Sequence, residues 1–261
     1  MMFSFTENSK ERNKVRGILL ALLLVPVFGF AQRPCEELSE DGKITIKMDM
    51  SEMRQPFEEI RQSLPTLKKS SDEEMAMIMR SMGDNYYWRH DPVQGVSAAG
   101  ILILAHGTNG PNDDLLFEDM RPLSETYLTG ISFGMSMMTS KHISCGLNDL
   151  KALGADKIYV VPLTESPYNT LISQWKYAFG LEENYSYAEI EKISRKDVFF
   201  LEPIMDSYYA RKIVYDHSLE ISSDASNEIV LLVAHGPINP DDNASLLKSM
   251  NNISDYVRQE A

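Results

Sequence analysis

Two histidines follow short apolar runs of the same kind at two places in the chain. Residues 101–114 read ILILAHGTNGPNDD and residues 229–242 read IVLLVAHGPINPDD, so His106 and His235 each stand between an alanine and a glycine. An imidazole can bind a metal ion or transfer protons near neutral pH. The following glycine lets the backbone turn sharply. We favour metal binding or proton transfer for this pair over hydrogen bonds within their own turns.

Each copy of the pattern reads as a strand that leads through the histidine into a helix. The identical positions are Leu102, Ala105, His106, Gly107, Pro111 and Asp113, each with the same residue in the second copy. Such self-similarity indicates an internal duplication. The second copy has one predicted strand and one helix, which cannot close a parallel sheet alone. Either this unit packs on the first sheet, or the rest comes from elsewhere, as in a homodimer.

Strands and helices alternate from residue 97 onward. We predict strands at 100–105, 130–135, 156–163 and 197–204, and helices at 113–127, 140–154, 166–195 and 206–222, with Pro122 disturbing the first helix. The first strand is entirely apolar, as expected for a strand buried on both faces of a parallel sheet. Short loops between such elements are typical of an α/β fold with a parallel sheet flanked by helices. Ligands bind such sheets where the strands end, which is where His106 is predicted.

The N-terminal segment has the composition of an export signal. Basic residues at 10–16 precede an apolar stretch at 17–30, and Ala31 offers a small residue for cleavage. The apolar stretch is short for a membrane-spanning helix. We therefore predict cleavage after Ala31 and a periplasmic or secreted protein without a membrane span, with an uncleaved anchor as the alternative.

The charge and the cysteines narrow the function classes. A formal net charge of −13 argues against nucleic acid as a partner, because phosphate binding needs clustered lysine and arginine. Two cysteines are too few for a cysteine-based metal cluster. Cys35 and Cys145 could pair in an exported chain, but one lies in a predicted tail and the other in a predicted helix. We expect them to be unpaired.

A methionine-rich segment spans residues 48–82. Its helix begins with a capping box at Ser71 and carries Met75, Met77, Met79 and Met82. Thioethers could bind Cu(I). We expect instead that these flexible side chains pack on a core, because Met77 and Met79 are not expected to share one helix face with Met75 and Met82.

One pentapeptide suggests a different chemistry. Residues 130–134, GISFG, match the G-x-S-x-G pattern that surrounds the nucleophile of serine hydrolases. That pattern requires the serine at a strand-to-helix turn, and Ser132 is predicted inside a strand. A serine hydrolase using Ser132 therefore stays as a third reading of the function.

Several stretches of the sequence resemble those of a known family. The stretches GILILAHGT, ISFGM and GLNDLKALGADKIYVVPL, followed by the second apolar run with its histidine, look like the sirohydrochlorin cobaltochelatases, the CbiX and SirB type of class II chelatases. The resemblance covers residues 97–261. It implies two similar α/β halves that face a cleft, and insertion of cobalt, iron or nickel as a divalent ion into a tetrapyrrole.

The resemblance also implies roles for individual residues. His106 takes the place of the family's metal ligand and base, and the repeat gives His235 an equivalent role as a metal ligand. Gly107 and Glu165 are expected beside them at the binding site, with Glu165 in a loop where the family usually has a second histidine. A non-catalytic periplasmic protein that binds a metal, haem or another tetrapyrrole is the alternative function.

These readings divide the chain into four parts. They are a signal peptide at 1–31, an N-terminal extension at 32–96, a chelatase-like α/β domain at 97–225, and the first βα unit of a second, incomplete repeat at 226–261.

Overall fold

The computed structural model describes Cys35 and residues 38–47, 53–108, 110–164, 166–237 and 239–260. The predicted signal peptide and Glu165 lie outside the described residues. The strands are β1 (Lys43–Ile46), β2 (Asn85–Arg89), β3 (Ser97–Ala105), β4 (Tyr127–Phe133), β5 (Lys157–Pro162) and β6 (Val198–Phe200). The helices are α1 (Arg54–Ser63), α2 (Asp72–Ser81), α3 (Pro111–Asp119), α4 (Arg121–Ser124), α5 (Lys141–Ala152), α6 (Thr170–Ala178), α7 (Tyr208–Ile221) and α8 (Pro240–Glu260). Among these helices, none is long and apolar enough to cross a membrane.

The strands form one mixed sheet in the order β1-β2-β4-β3-β5-β6. β3 pairs in parallel with both β4 and β5, and β5 pairs in parallel with β6. The apolar side chains from Leu102 to Ala105 are buried at the centre of this sheet. The predicted α/β fold with a largely parallel sheet flanked by helices is confirmed. The prediction that Pro122 disturbs its helix is also confirmed, because α3 and α4 replace one continuous helix.

The N-terminal extension contributes two strands to the same sheet. β1 pairs with β2, and β2 pairs with β4, both antiparallel. Tyr87 of β2 is fully buried, and its hydroxyl donates to Asp149 of α5 at 2.9 Å, while Arg89 Nε donates to the same carboxylate at 2.7 Å. The strand Asn85–Arg89 thus ties the extension to α5.

Cys35 and Cys145 form a disulfide, so the prediction that they are unpaired is wrong. Cys145 lies on the face of α5 that is buried against the sheet, and Cys35 packs against the same apolar core. A helical position on a buried face does not prevent pairing when a distant segment passes beside that face. The bond joins residues that are 110 positions apart in the sequence.

The predicted helix at 166–195 is wrong beyond α6, because residues 179–197 have no helix or strand. The buried amide of Gln174 binds this segment instead. Its Oε1 accepts from the backbone N–H groups of Ser186 and Tyr187, both at 3.0 Å, and its Nε2 donates to the carbonyl of Ala188 at 2.9 Å. These bonds satisfy backbone groups that a helix would otherwise have paired internally.

The predicted strand in the second copy of the histidine pattern is also wrong. Residues 228–237 have no regular secondary structure, and the apolar side chains of Ile229 and Leu231 are 94% and 81% exposed. A strand needs a neighbour for its backbone hydrogen bonds, and no described strand pairs with this segment. The helix of the second copy does form. α8 begins at Pro240, as α3 begins at Pro111, since proline suits the first helical position.

Candidate functional site

His106 lies at the carboxyl end of β3, as the sequence predicts. Its side chain is exposed, and Nδ1 lies 2.6 Å from the carbonyl oxygen of Gly107. Because a carbonyl oxygen only accepts hydrogen bonds, Nδ1 carries the proton in this contact. The lone pair of a neutral imidazole is then on Nε2. This arrangement gives the strand end a base that can also bind a metal ion.

Gly107 makes the turn after His106 possible. Its φ of +79° is left-handed, and a Cβ atom there would lie 3.2 Å from Cβ of Phe133 on β4. Any other residue would meet both strain and crowding. The glycine therefore keeps the histidine turn close against the end of β4, where a backbone bond from Gly134 N to Ala105 O at 2.9 Å continues the pairing.

The carboxylate of Asp113 holds the loop that follows the histidine. The backbone N–H of Thr108 donates to its two oxygens at 2.8 and 3.0 Å, and the Thr108 hydroxyl donates at 2.9 Å. The buried Tyr86 hydroxyl adds a bond of 2.6 Å. Burial, and then the nearby carboxylate, raise the pKa of Tyr86 far above its usual range, which keeps it a donor. In the sequence Asp113 stands out only as a position repeated in the second copy, and this does not reveal its role in the loop.

Glu165 lies outside the described residues, and His235 is exposed within the segment 228–237 that has no secondary structure. In the described ranges, no three His, Cys, Asp or Glu side chains form a group that could hold a metal ion. The structure thus brings His106 and Gly107 together and leaves His235 without a demonstrated place at the same site.

A polar cavity of about 220 Å³ lies beyond the ends of β5 and β6. Its lining includes Tyr168 from the loop after β5, Asp206 from the loop after β6, Arg211 on α7 and Lys248 on α8. Asp206 accepts hydrogen bonds from the Tyr168 hydroxyl at 3.2 Å and from Ser249. Among the described residues, the buried Nε of Arg211 has no hydrogen-bond partner. Arg211 and Lys248 give this lining positive charge, which suits the carboxylate of a bound molecule.

Ser132 lies inside β4 and not at a strand-to-helix turn, as predicted. It is 1% exposed, and its register partners are Tyr87 on β2 and Leu104 on β3. Its Oγ is buried without a partner in the described part of the chain. A substrate cannot reach this hydroxyl, so the position lacks what the serine hydrolase reading requires.

A different serine–histidine pair lies just after β4. Ser136 has a left-handed φ of +53°, and its hydroxyl lies 3.3 Å from Nε2 of His142 on α5. Both residues are fully buried. Burial lowers the pKa of His142 to about 3, so it is neutral at physiological pH. Nothing in the spacing of Ser136 and His142 distinguishes this pair in the sequence, and its burial makes it structural.

The buried His142 should make the protein acid-sensitive. Its folded pKa of about 3 lies below its usual 6.5, so the unfolded chain binds the proton first as the pH falls. We expect stability to fall by up to about 1.4 kcal/mol per pH unit from pH 6.5 towards 3. In urea unfolding across this range, the free energy of unfolding of His142→Gln should change less with pH than that of the wild type. His217→Gln is the control, because His217 is exposed and its variant should keep the wild-type dependence of stability on pH. The same dependence in the wild type and in His142→Gln would rule out this effect.

Comparison with known proteins gives no match to any family model, curated protein or solved structure. The fold and the site define an α/β protein with a histidine at the end of a central strand of a mixed, largely parallel sheet.

Proposed function

We propose that this protein inserts a divalent metal, cobalt, iron or nickel, into a tetrapyrrole such as sirohydrochlorin. The observation that carries the proposal is the exposed imidazole of His106 at the carboxyl end of β3, with Nε2 as its basic atom. Parallel α/β sheets bind their ligands at this edge. The family resemblance of residues 97–261 supplies the reaction.

The reaction needs a base and a metal ligand. Insertion of a divalent ion into the macrocycle releases two protons from pyrrole nitrogens, and the metal forms bonds to the same nitrogens. The Nε2 lone pair of His106 would accept one proton at a time and pass it to water through the exposed face of the ring. Because one lone pair cannot hold a proton and a metal ion at once, Nε2 would ligate the incoming metal first and would accept the pyrrole protons after the metal has passed to the macrocycle. In this proposal His235 acts as a second metal ligand and Glu165 as a contact to the substrate.

The polar cavity offers a place for the acidic groups of the substrate. Tetrapyrrole precursors carry carboxylates, and Arg211 and Lys248 are the cations that line the cavity. Tyr168 and Asp206 of the lining come from the loops after β5 and β6, and these strands run parallel to β3, which ends at His106. A flat macrocycle lying along these strand ends would place its nitrogens towards His106 and a carboxylate towards Arg211.

We also propose that the protein acts outside the cytosol. Its two cysteines form one disulfide between Cys35 and Cys145. Disulfides persist in oxidising compartments and are rare in the cytosol. This observation supports export independently of the N-terminal segment.

Counting turnovers tests the function. Residues 32–261 should be mixed with sirohydrochlorin and Co²⁺ without ATP, and the absorbance change of insertion should be compared with the spontaneous reaction. We expect product in many-fold excess over protein. A spectral change that stops at one equivalent per chain would instead indicate a carrier of metal or tetrapyrrole, and no change above background would end both readings.

Loss of the cavity arginine should weaken substrate binding more than chemistry. We expect Arg211→Gln to raise KM for the tetrapyrrole about tenfold with little change in kcat, because a charged hydrogen bond contributes about 1.5–3 kcal/mol. Lys212→Gln is the matched control, since Lys212 lies on the same helix but pairs with Asp216 outside the cavity. Equal KM values for both variants would show that the cavity does not bind the substrate.

A further inference from the structure

Seven methionines of the described part of the chain lie in one cluster. They are Met53, Met75, Met79 and Met82 from the N-terminal extension, and Met135, Met137 and Met138 from the loop after β4. The expectation that Met79 lies off the face of Met75 and Met82 is wrong, because spacings of four and seven place all three on one side of α2. Only Met77 faces away, with 64% of its surface exposed. The fold thus joins two methionine groups that are distant in the sequence.

Five of these methionines line one small cavity. Met79 and Met82 come from the end of α2, and Met135, Met137 and Met138 come from the loop after β4. The cavity has a volume of about 20 Å³, which is room for one water-sized particle. Two glycines, Gly83 and Gly134, together with Asn85 and Ser136, complete its lining. The lining contains no charged side chain among the described residues.

The cavity is partly open to solvent. Met79 and Met137 are buried, whereas Met82, Met135 and Met138 are half-buried. An ion could therefore reach three thioethers without unfolding the cluster. If the methionines served only to fill space, leucine of similar volume would replace them at little cost. Leucine variants therefore distinguish a binding role from a packing role.

We propose that this cavity binds one Cu(I) ion through the thioether sulfurs of Met82, Met135 and Met138. Thioether sulfur is a soft, neutral ligand that selects Cu(I) over the harder divalent ions. An uncharged lining suits a monovalent ion, and Met82, Met135 and Met138 would supply it with three sulfur donors. The site uses no residue of the His106 site, so it goes beyond the proposed metal insertion and stands or falls separately.

Competition for Cu(I) tests the site. Residues 32–261, with the disulfide intact, should be titrated against a coloured Cu(I)–bicinchoninate complex in ascorbate under nitrogen. We expect one equivalent of Cu(I) to move to the protein, with sulfur as the neighbouring scatterer in copper X-ray absorption. The triple variant M82L/M135L/M138L should bind at least 100-fold more weakly, and each single variant about tenfold more weakly.

The control variant is Met77→Leu, which lies on the same helix outside the cluster and should bind Cu(I) as the wild type does. Circular dichroism and thermal unfolding establish that each variant is folded, and the single variants decide the question if the triple variant is not. Failure of the wild type to remove Cu(I) from bicinchoninate would overturn the proposal. Wild-type affinity in the folded single variants would overturn it as well. Neither result bears on turnover with Co²⁺.

Discussion

Replacement of His106 by alanine is expected to slow metal insertion at least about 100-fold, because a positioned general base contributes about 10²–10⁴ to a rate. The variant removes both the proton acceptor and the proposed metal ligand. The substitution removes the contact between His106 Nδ1 and the carbonyl oxygen of Gly107. The hydrogen bonds to Asp113 and the left-handed backbone of Gly107 do not involve the imidazole ring, so they keep the turn in place. The exposed position of the side chain leaves no cavity in the core. The loss should therefore appear in kcat, measured from the absorbance change at saturating tetrapyrrole and Co²⁺.

A matched histidine separates this effect from a general one. His217 is exposed on α7 and belongs to no site described above. We expect His217→Ala to retain the wild-type rate, and both variants to unfold at the wild-type temperature. Undiminished insertion by His106→Ala would refute the role of the strand-end histidine, whatever the fold.

Reduction of the disulfide is expected to cost about 4–5 kcal/mol of unfolding free energy. The bond closes a loop of about 110 residues, and the chain-entropy relation gives about 4.7 kcal/mol for a loop of 100 residues. The loop contains β1 to β4 and the start of α5, so its opening frees much of the sheet in the unfolded chain. Because domains are stable by only about 5–15 kcal/mol, this loss is a large fraction of the total. Guanidinium unfolding with and without reductant measures it.

The double variant C35A/C145A is the control for reductant. It should unfold at a lower denaturant concentration than the oxidised wild type, close to that of the reduced protein. Reductant should then have no further effect on it. If reductant left the unfolding midpoint of the wild type unchanged, the disulfide would not stabilise the fold.

β3 was predictable because it contains a continuous apolar run before a turn. Its residues Leu102 to Ala105 are buried between β4 and β5, and this burial is what a continuous apolar run predicts. β2 was missed because residues 85–89 mix aromatic and charged side chains. Its place in the sheet depends on partners in β1 and β4, which the local sequence does not reveal.

The failed predictions involve contacts between distant segments. The disulfide joins Cys35 to a helix far along the chain, and the bonds of Gln174 draw residues 186–188 away from a helical path. The predicted strand at residues 229–234 fails for a different reason. It has the composition of β3 but no described neighbour with which to pair. Composition indicates what a segment could form, whereas pairing depends on the rest of the chain.

The candidate site was predicted in part. The repeat identified His106 and Gly107, and the structure confirms their position at the end of β3. The role of Asp113 required coordinates, because its partners Thr108 and Tyr86 come from a loop and a different strand. The methionine cavity required them too, since its two halves are joined only when α2 packs beside the loop after β4.

Rescue of His106→Ala by added imidazole tests most directly whether the imidazole at the end of β3 performs the chemistry. The variant should be assayed for Co²⁺ insertion with increasing imidazole, at a fixed free Co²⁺ concentration and against the spontaneous reaction. We predict that the rate rises towards the wild-type value with imidazole and is unaffected by the same concentrations of a non-basic heterocycle. A variant that is fully active without imidazole would contradict the proposed role of His106.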